Sequence, residues 1–251
     1  MTQFPIVHAV TDSNVVLRDG FVSRAMAVMR ALGPKGAIHL RSSRAPSRIF
    51  YNIALALSRA QKATGCWLIV NDRVDIAAAV GAHGVQLASH SLGVLDALRV
   101  APKRPVGASV HTIEEAIAAQ AAGASWCVAG TVFETPSHAG RPPARVSFIE
   151  EIAAAVSIPI IAIGGVMPHD VPALRKAGAH GVATIRGAAW DLGMDASPDS
   201  QDLMETRLSP VAVNAIPEPV TRYISAYDSE SGSGRSDHAD GQRRSKGAGA
   251  E

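Results

Sequence analysis

A glycine pair that follows a short apolar run is the feature of this sequence with the clearest chemical meaning. Residues 158–163 are apolar, include Pro159, and lead into Gly164-Gly165. Such a run is typical of a strand buried on both faces. Glycines leave the backbone N–H groups at its end uncovered, and such groups bind phosphate oxygens. Taken alone, the pair is more often a tight turn without a ligand, but the rest of the chain favours phosphate.

Polar side chains follow the other apolar runs too, where a barrel of alternating strands and helices places its active site. His39 and Arg41 are two residues apart, so they point to the same side of one strand. Thr135 and Ser137 can present two hydroxyls to one anionic group. The further candidates for substrate or phosphate binding are Asn71, Ser109, Thr131 and Arg186.

Proton transfer at these strand ends has three candidates, which are His39, His138 and Glu134. Histidine changes its charge near neutral pH, and general acid–base catalysis contributes about 10²–10⁴-fold to a rate. We favour His39 because a rigid strand holds proton-transfer geometry better than a loop does.

Eight apolar runs, most of them separated by helical patterns, must position these residues. They lie near residues 6–10, 36–41, 67–71, 84–87, 105–109, 126–129, 158–166 and 182–185. Gly81, Gly123 and Gly178 each stand between a helix and the next strand, where glycine serves to end the helix. Eight such units predict an α/β fold, a (β/α)8 TIM barrel. No GxGxxG follows the first strand, which counts against a dinucleotide fold.

One domain is predicted, a barrel over residues 1–228 followed by a disordered C-terminal tail over residues 229–251. The pattern stops after Trp190, residues 191–210 are typical of a loop, and a short helix is expected to pack on the barrel near 219–226. The tail is rich in Ser, Gly, Asp and Arg and has almost nothing to bury.

Composition excludes several function classes. The net charge of +2 is too small to indicate nucleic acid or an anionic membrane as a partner. No apolar stretch approaches a membrane span and no signal-peptide pattern begins the chain, so we expect a cytoplasmic protein with a small-molecule partner. Cys66 and Cys127 lack CxxC spacing and are predicted to be buried thiols. The sequence leaves a homo-oligomer open.

Four motifs occur in a characteristic order: Asn-Asp-Arg-Val-Asp at 71–75, Gly-Ala-Ser-Val-His-Thr at 107–112, the loop 132–140, and Ile-Gly-Gly at 163–165. Together they resemble the thiamine phosphate synthase and thiazole tautomerase (TenI-like) superfamily, from about residue 5 to 190. The resemblance implies a role in thiamine biosynthesis and a thiazole phosphate as ligand.

The synthase branch, as the resemblance implies it, holds pyrophosphate with Gln, Arg and Lys after the second strand and magnesium with two Asp. This chain has His39, Arg41 and Ser43 at the first set, and Asp72 and Ser91 at the second. Magnesium needs hard oxygen ligands, and stabilising the leaving pyrophosphate drives ionisation of the pyrimidine. The synthase reaction is therefore expected to be impaired, with Mg²⁺ at Asp72 only if that reaction survives.

The tautomerase branch needs no metal, and the resemblance implies a histidine where this chain has His39. Its second histidine, before Val-Phe-Glu-Thr, is replaced by Thr131, and threonine is no proton shuttle near neutral pH. Three functions stay open. We put first an isomerase, a thiazole tautomerase without a cofactor. The alternatives are a divergent thiamine phosphate synthase, which joins hydroxymethylpyrimidine diphosphate to thiazole phosphate, and a non-catalytic regulator that binds thiazole or thiamine phosphate.

Overall fold

Eight parallel strands close into a barrel in the computed structural model, which describes residues 4–135, 143–188, 190 and 218–229. The strands are β1 Val7–Val10, β2 Gly36–Leu40, β3 Trp67–Asn71, β4 Gly84–Leu87, β5 Val106–Val110, β6 Trp126–Gly130, β7 Ile160–Ile163 and β8 Gly181–Thr184. Each strand pairs in parallel with the next, and β8 pairs with β1. The predicted (β/α)8 barrel is confirmed.

Helices connect the strands along the outside of the barrel. They are α1 Ser13–Val16, α2 Phe21–Leu32, α3 Ser47–Thr64, α4 Val74–Val80, α5 Val94–Val100, α6 Ile113–Ala121, α7 Arg145–Ala155, α8 Val171–Lys176 and α9 Glu218–Asp228. Gly81, Gly123 and Gly178 have φ values of 72°, 91° and 97° within two residues of the ends of α4, α6 and α8. These glycines end their helices as the sequence predicted, because other residues resist this conformation.

Apolar side chains also fill the inside of the barrel. The interior cluster comprises Val10, Ala37, Ile69, Trp126, Val128, Ile161 and Ala183. At the N-terminal ends of the strands, Phe4, Trp67, Trp126 and His180 form an aromatic group that we call the floor cluster. The rings of the other three lie 5.3 or 5.4 Å from the ring of Phe4. The barrel is therefore closed at the end opposite the expected active site.

The helix α9 occupies the place where a short helix was predicted near residues 219–226. Its own residues Val220 and Tyr223 are buried, and Arg175 of α8 stacks 4.1 Å from the centre of the Tyr227 ring. The predicted loop at 191–210 and nearly all of the predicted tail lie outside the described residues. Among the helices that the structure describes, none is long and apolar enough to cross a membrane. Both cysteines are buried and unbridged, as predicted.

Candidate active site

Asp72 stands directly after β3 in a backbone conformation that is uncommon outside glycine, with a φ of 62°. Its N–H donates to the Gln86 carbonyl at 2.9 Å. Its Oδ1 accepts hydrogen bonds from the Ala88 N–H, at 3.0 Å, and from the Ser91 hydroxyl. The structure therefore joins Asp72 and Ser91, the two positions at which the resemblance implied a pair of magnesium-binding carboxylates.

The side-chain oxygens that could bind a metal ion here are the Asp72 carboxylate and the Ser91 hydroxyl. Across the described ranges, no group of three or more His, Cys, Asp and Glu residues could hold a metal ion. Magnesium is commonly bound through one or two carboxylates, with substrate phosphates and water completing its shell. The residues present fit a one-carboxylate magnesium site completed by a diphosphate, and they do not fit a two-carboxylate site.

Arg41 follows β2 at the rim of the barrel, and its side chain is exposed. Its backbone is tied to the end of β1, because its N–H donates to Thr11 Oγ1 at 2.8 Å and the Thr11 hydroxyl donates to its carbonyl at 2.9 Å. Two residues farther along the same loop, the Ser43 N–H donates to Ser13 Oγ at 2.9 Å. An exposed cation is thus carried on a loop that the β1 end holds in place.

His39 lies inside the barrel rather than at its mouth and is 2% exposed. Its Nε2 is 2.8 Å from His8 Nδ1. Burial, and next the neighbouring His8, lower the pKa of His39 well below its ordinary value, while the Asn71 side chain acts in the opposite direction. A proton shuttle needs a pKa near the working pH. This environment argues against the proton-transfer role that the sequence analysis assigned to His39.

Three polar side chains from β3, β4 and β5 lie above the apolar interior. Gln86 Nε2 donates to Ser109 Oγ at 3.1 Å, and Gln86 Oε1 accepts from Trp126 Nε1 at 2.7 Å. Asn71 Oδ1 is buried and has no hydrogen bond of good geometry within the described residues, although the Asn71 side chain lies close enough to His39 to counteract part of the lowering of that ring's pKa. Buried polar atoms are nearly always hydrogen-bonded in native proteins, so Asn71 Oδ1 is suited to a donor from a ligand or a water molecule.

The Gly164-Gly165 turn after β7 packs against the segment that follows β6. The two glycines have φ values of 103° and 67°. A Cβ on Gly165 would lie 2.6 Å from the Glu134 carbonyl oxygen and 2.8 Å from Phe133 Cβ, and a Cβ on Gly164 would collide with Thr131. The N–H groups of the two glycines have no acceptor within the described residues. Both close packing and backbone conformation therefore require glycine here, and the turn leaves two donors for an anion.

The remaining candidates of this loop are only partly placed. Thr131 and Thr135 are half-buried and Glu134 is exposed, with its carbonyl rather than its carboxylate against the glycine turn. Ser137 and His138 lie outside the described residues. Of the loop candidates, the structure brings Thr131 and Glu134 to the turn.

Arg186 stands two residues beyond the end of β8, at the start of the 3-10 turn Arg186–Ala188, with an exposed side chain. In the same turn the Gly187 N–H donates to Thr184 Oγ1 at 3.0 Å. Because β7 and β8 are adjacent, Arg186 and the glycine turn lie at neighbouring strand ends. This corner combines uncovered amides with a cation, which suits a phosphate group.

Two residues at the site had no role assigned from the sequence, although Gln86 was among the polar residues expected at the strand ends. Gln86 connects the interior to Ser109, and the only signal was an amide within an otherwise apolar strand. Tyr223 of α9 donates its hydroxyl to the Val166 carbonyl at 2.9 Å, just beyond the glycine turn. The spacing of Val220, Tyr223 and Tyr227 indicates a buried helix face, but it does not indicate which strand ends that face meets.

Comparison with known proteins gives consistent matches over the barrel. The family model described as thiamine monophosphate synthase matches residues 7–188. A thiamine-phosphate synthase of Methanoculleus marisnigri is 37% identical over 181 residues, covering 71% of this chain and 85% of the relative. One of Pyrococcus abyssi is 36% identical over 160 residues, covering 63% and 77%. The solved structure of a thiamine phosphate pyrophosphorylase from Pyrococcus furiosus matches with a TM-score of 0.71 at 26% identity, covering 89% of this chain and 96% of that one.

Proposed function

Because the chain belongs to the thiamine monophosphate synthase family, we propose that it is a thiamine phosphate synthase, a transferase that joins hydroxymethylpyrimidine diphosphate to a thiazole phosphate. The named relatives favour this alternative over the tautomerase that the sequence analysis put first. The observation that carries the proposal is Asp72, whose carboxylate is held at the strand ends by Ala88 and Ser91. The enclosure of His39 supports it further, since a tautomerase needs an accessible proton carrier.

The proposed reaction breaks one bond and forms another at a single carbon. The bond from the pyrimidine methylene carbon to the diphosphate oxygen breaks, and its electron pair leaves with pyrophosphate. The thiazole ring nitrogen then bonds to that carbon. Stabilising the negative charge of the leaving group is the main electrostatic task. Arg41 supplies one positive charge at the rim, and a magnesium ion bound through Asp72 would supply further positive charge there.

The two substrates would use different parts of the barrel mouth. The Asn71 Oδ1 would accept a hydrogen bond from the amino group of the pyrimidine, and Ser109, two strands away on β5, would supply a hydroxyl. The Gly164-Gly165 amides and Arg186 would hold the phosphate of the thiazole, with Thr135 as an added hydroxyl. Magnesium is needed only for this synthase function, and Glu134 or His138 would transfer protons only if the protein were a tautomerase.

The direct test is a pair of assays on the purified protein. One contains hydroxymethylpyrimidine diphosphate, thiazole phosphate and Mg²⁺, with thiamine phosphate measured by chromatography; the other contains the carboxylated thiazole phosphate tautomer alone. Formation of thiamine phosphate, reduced at least about a hundredfold in Asp72→Asn, supports the proposal. Product in the second assay alone would identify a tautomerase, and binding of thiazole phosphate without either product would identify a regulator.

Arg186 offers a test of where the phosphate binds. A guanidinium–phosphate contact contributes about 1.5–3 kcal/mol, so Arg186→Ala should raise the dissociation constant of thiazole phosphate by more than about tenfold. Titration calorimetry would measure it. Arg99→Ala is the matched control. It removes the same positive charge, but Arg99 pairs with Asp96 on α5, away from the proposed phosphate site. An unchanged constant in Arg186→Ala would place the phosphate elsewhere.

A further inference from the structure

A buried tyrosine, beyond the residues that the family model matches, lies behind the proposed phosphate corner. Tyr223 is in the middle of α9 and is 1% exposed. Its hydroxyl donates to the Val166 carbonyl at 2.9 Å and lies 3.4 Å from Thr184 Oγ1. Val166 is the residue after the glycine turn, and Thr184 is the last residue of β8. One hydroxyl group therefore joins the two strand ends that form the corner.

Gly187 leaves space for the Tyr223 hydroxyl, and Thr184 lies within hydrogen-bond distance of it. A Cβ on Gly187 would collide with the Tyr223 hydroxyl and would lie 2.7 Å from Thr184 Oγ1, so a glycine here makes room for the tyrosine. The Gly187 N–H uses the same Thr184 oxygen. Because the Val166 carbonyl only accepts, Tyr223 must be the donor, and burial raises the pKa of its hydroxyl further above neutral pH.

We propose that Tyr223 is a positioning residue for the phosphate subsite, which fixes the Gly164-Gly165 amides relative to the β8 end that carries Arg186. Its hydroxyl acts through the Val166 carbonyl and Thr184, not by contact with a ligand. Amides bind an oxyanion best when they are held in place before it arrives. The choice of thiazole phosphate as the ligand rests on the proposed function, whereas the fixing of the backbone does not.

The test compares two matched variants of the same helix. Tyr223→Phe removes the hydroxyl at the phosphate corner. Tyr227→Phe removes a hydroxyl that donates to the His180 carbonyl, before β8 and so at the opposite end of the barrel. Amide hydrogen exchange at Phe133, whose N–H donates to the Gly164 carbonyl at 2.9 Å, should become at least about fivefold faster in Tyr223→Phe only, as expected for the loss of one hydrogen bond. The dissociation constant and the KM for thiazole phosphate should rise about fivefold, with kcat nearly unchanged.

Gly187→Ala is the second variant. Its added methyl group would displace the Tyr223 ring, so it should give the same result as Tyr223→Phe. Melting curves establish that each variant is folded. Equal effects of Tyr223→Phe and Tyr227→Phe would show that α9 only stabilises the barrel and would overturn the proposal. Unchanged exchange at Phe133 in a folded Tyr223→Phe would overturn it too. Failure of the unaltered protein to bind thiazole phosphate would instead refute the proposed ligand, while the exchange data would still decide the role of Tyr223.

Discussion

His8 and His39 share a hydrogen bond inside the barrel, and their surroundings determine which nitrogen carries each proton. His8 Nε2 lies 3.1 Å from the Pro5 carbonyl, which can only accept, so this nitrogen carries a hydrogen. The neutral His8 ring then accepts at Nδ1, and His39 donates from Nε2 across 2.8 Å. A second proton on either ring would disrupt this arrangement, because it would create a buried charge.

This pair should make the protein acid-sensitive. Burial lowers the pKa of His8 to about 4 and that of His39 well below its ordinary value, whereas unfolded histidine titrates near about 6.5. The unfolded chain therefore binds more protons as the pH falls from about 6.5 to about 4, and the free energy of unfolding should decrease over that window. His8 alone accounts for a loss on the order of 3 kcal/mol. Urea denaturation at several pH values measures it, and an equal loss in His8→Gln would contradict this explanation.

Ser91 tests the metal chemistry at the same scale. Ser91→Asp would place a second carboxylate against Asp72, and two adjacent carboxylates repel each other unless a cation lies between them. We expect the melting temperature to fall by about 3–6 °C without metal and to recover when Mg²⁺ is added. Ser91→Asn, which adds no charge, should show neither effect. A melting temperature of Ser91→Asp that ignores Mg²⁺ would mean that the two side chains cannot share the ion.

At the scale of elements, the turn after β7 requires glycine at residue 165 for two separate reasons, its backbone conformation and its close packing. Gly165 has a positive φ and also presses against the Glu134 carbonyl, whereas Gly20 has a φ of 74° with nothing within 4 Å of an added Cβ. Gly20→Ala should therefore cost about 1 kcal/mol of unfolding free energy, from the backbone alone. Gly165→Ala should cost about 1–3 kcal/mol more, from the collision. An equal loss of unfolding free energy in the two variants, measured by urea denaturation, would show that the segment after β6 moves to accommodate the added methyl group.

The strands were predictable from the sequence because a barrel strand is buried on both faces and reads as an apolar run between glycines. The depth of a side chain along the barrel was not. His39 and Arg41 were expected on the same side of one strand, yet one lies in the interior and the other, just past the end of β2, at the rim, since strand periodicity fixes the side of the sheet and not the distance to the mouth. The link from Tyr223 to Val166 spans 57 residues, and no local pattern encodes it.

At the scale of the whole molecule, the barrel separates stability from chemistry along its axis. The floor cluster closes the N-terminal end with rings, while Asp72, Arg41 and Arg186 stand at the C-terminal ends of the strands. The sequence predicted the end of the barrel at which the chemistry lies, because loops after parallel strands all meet at one face. The identity of the reaction was less predictable, since it depends on a few substituted side chains such as Ser91.

The hydrogen bonds of Gln86 connect a buried tryptophan to the mouth of the barrel. The indole of Trp126, fully buried, donates to Gln86, and the same amide donates to Ser109 at the mouth. A ligand that takes the Ser109 hydroxyl polarises this chain of hydrogen bonds down to the indole. We therefore expect the fluorescence of Trp126 to change when a ligand binds at the barrel mouth, and loss of that change in Trp126→Phe would distinguish its emission from that of Trp67 and Trp190.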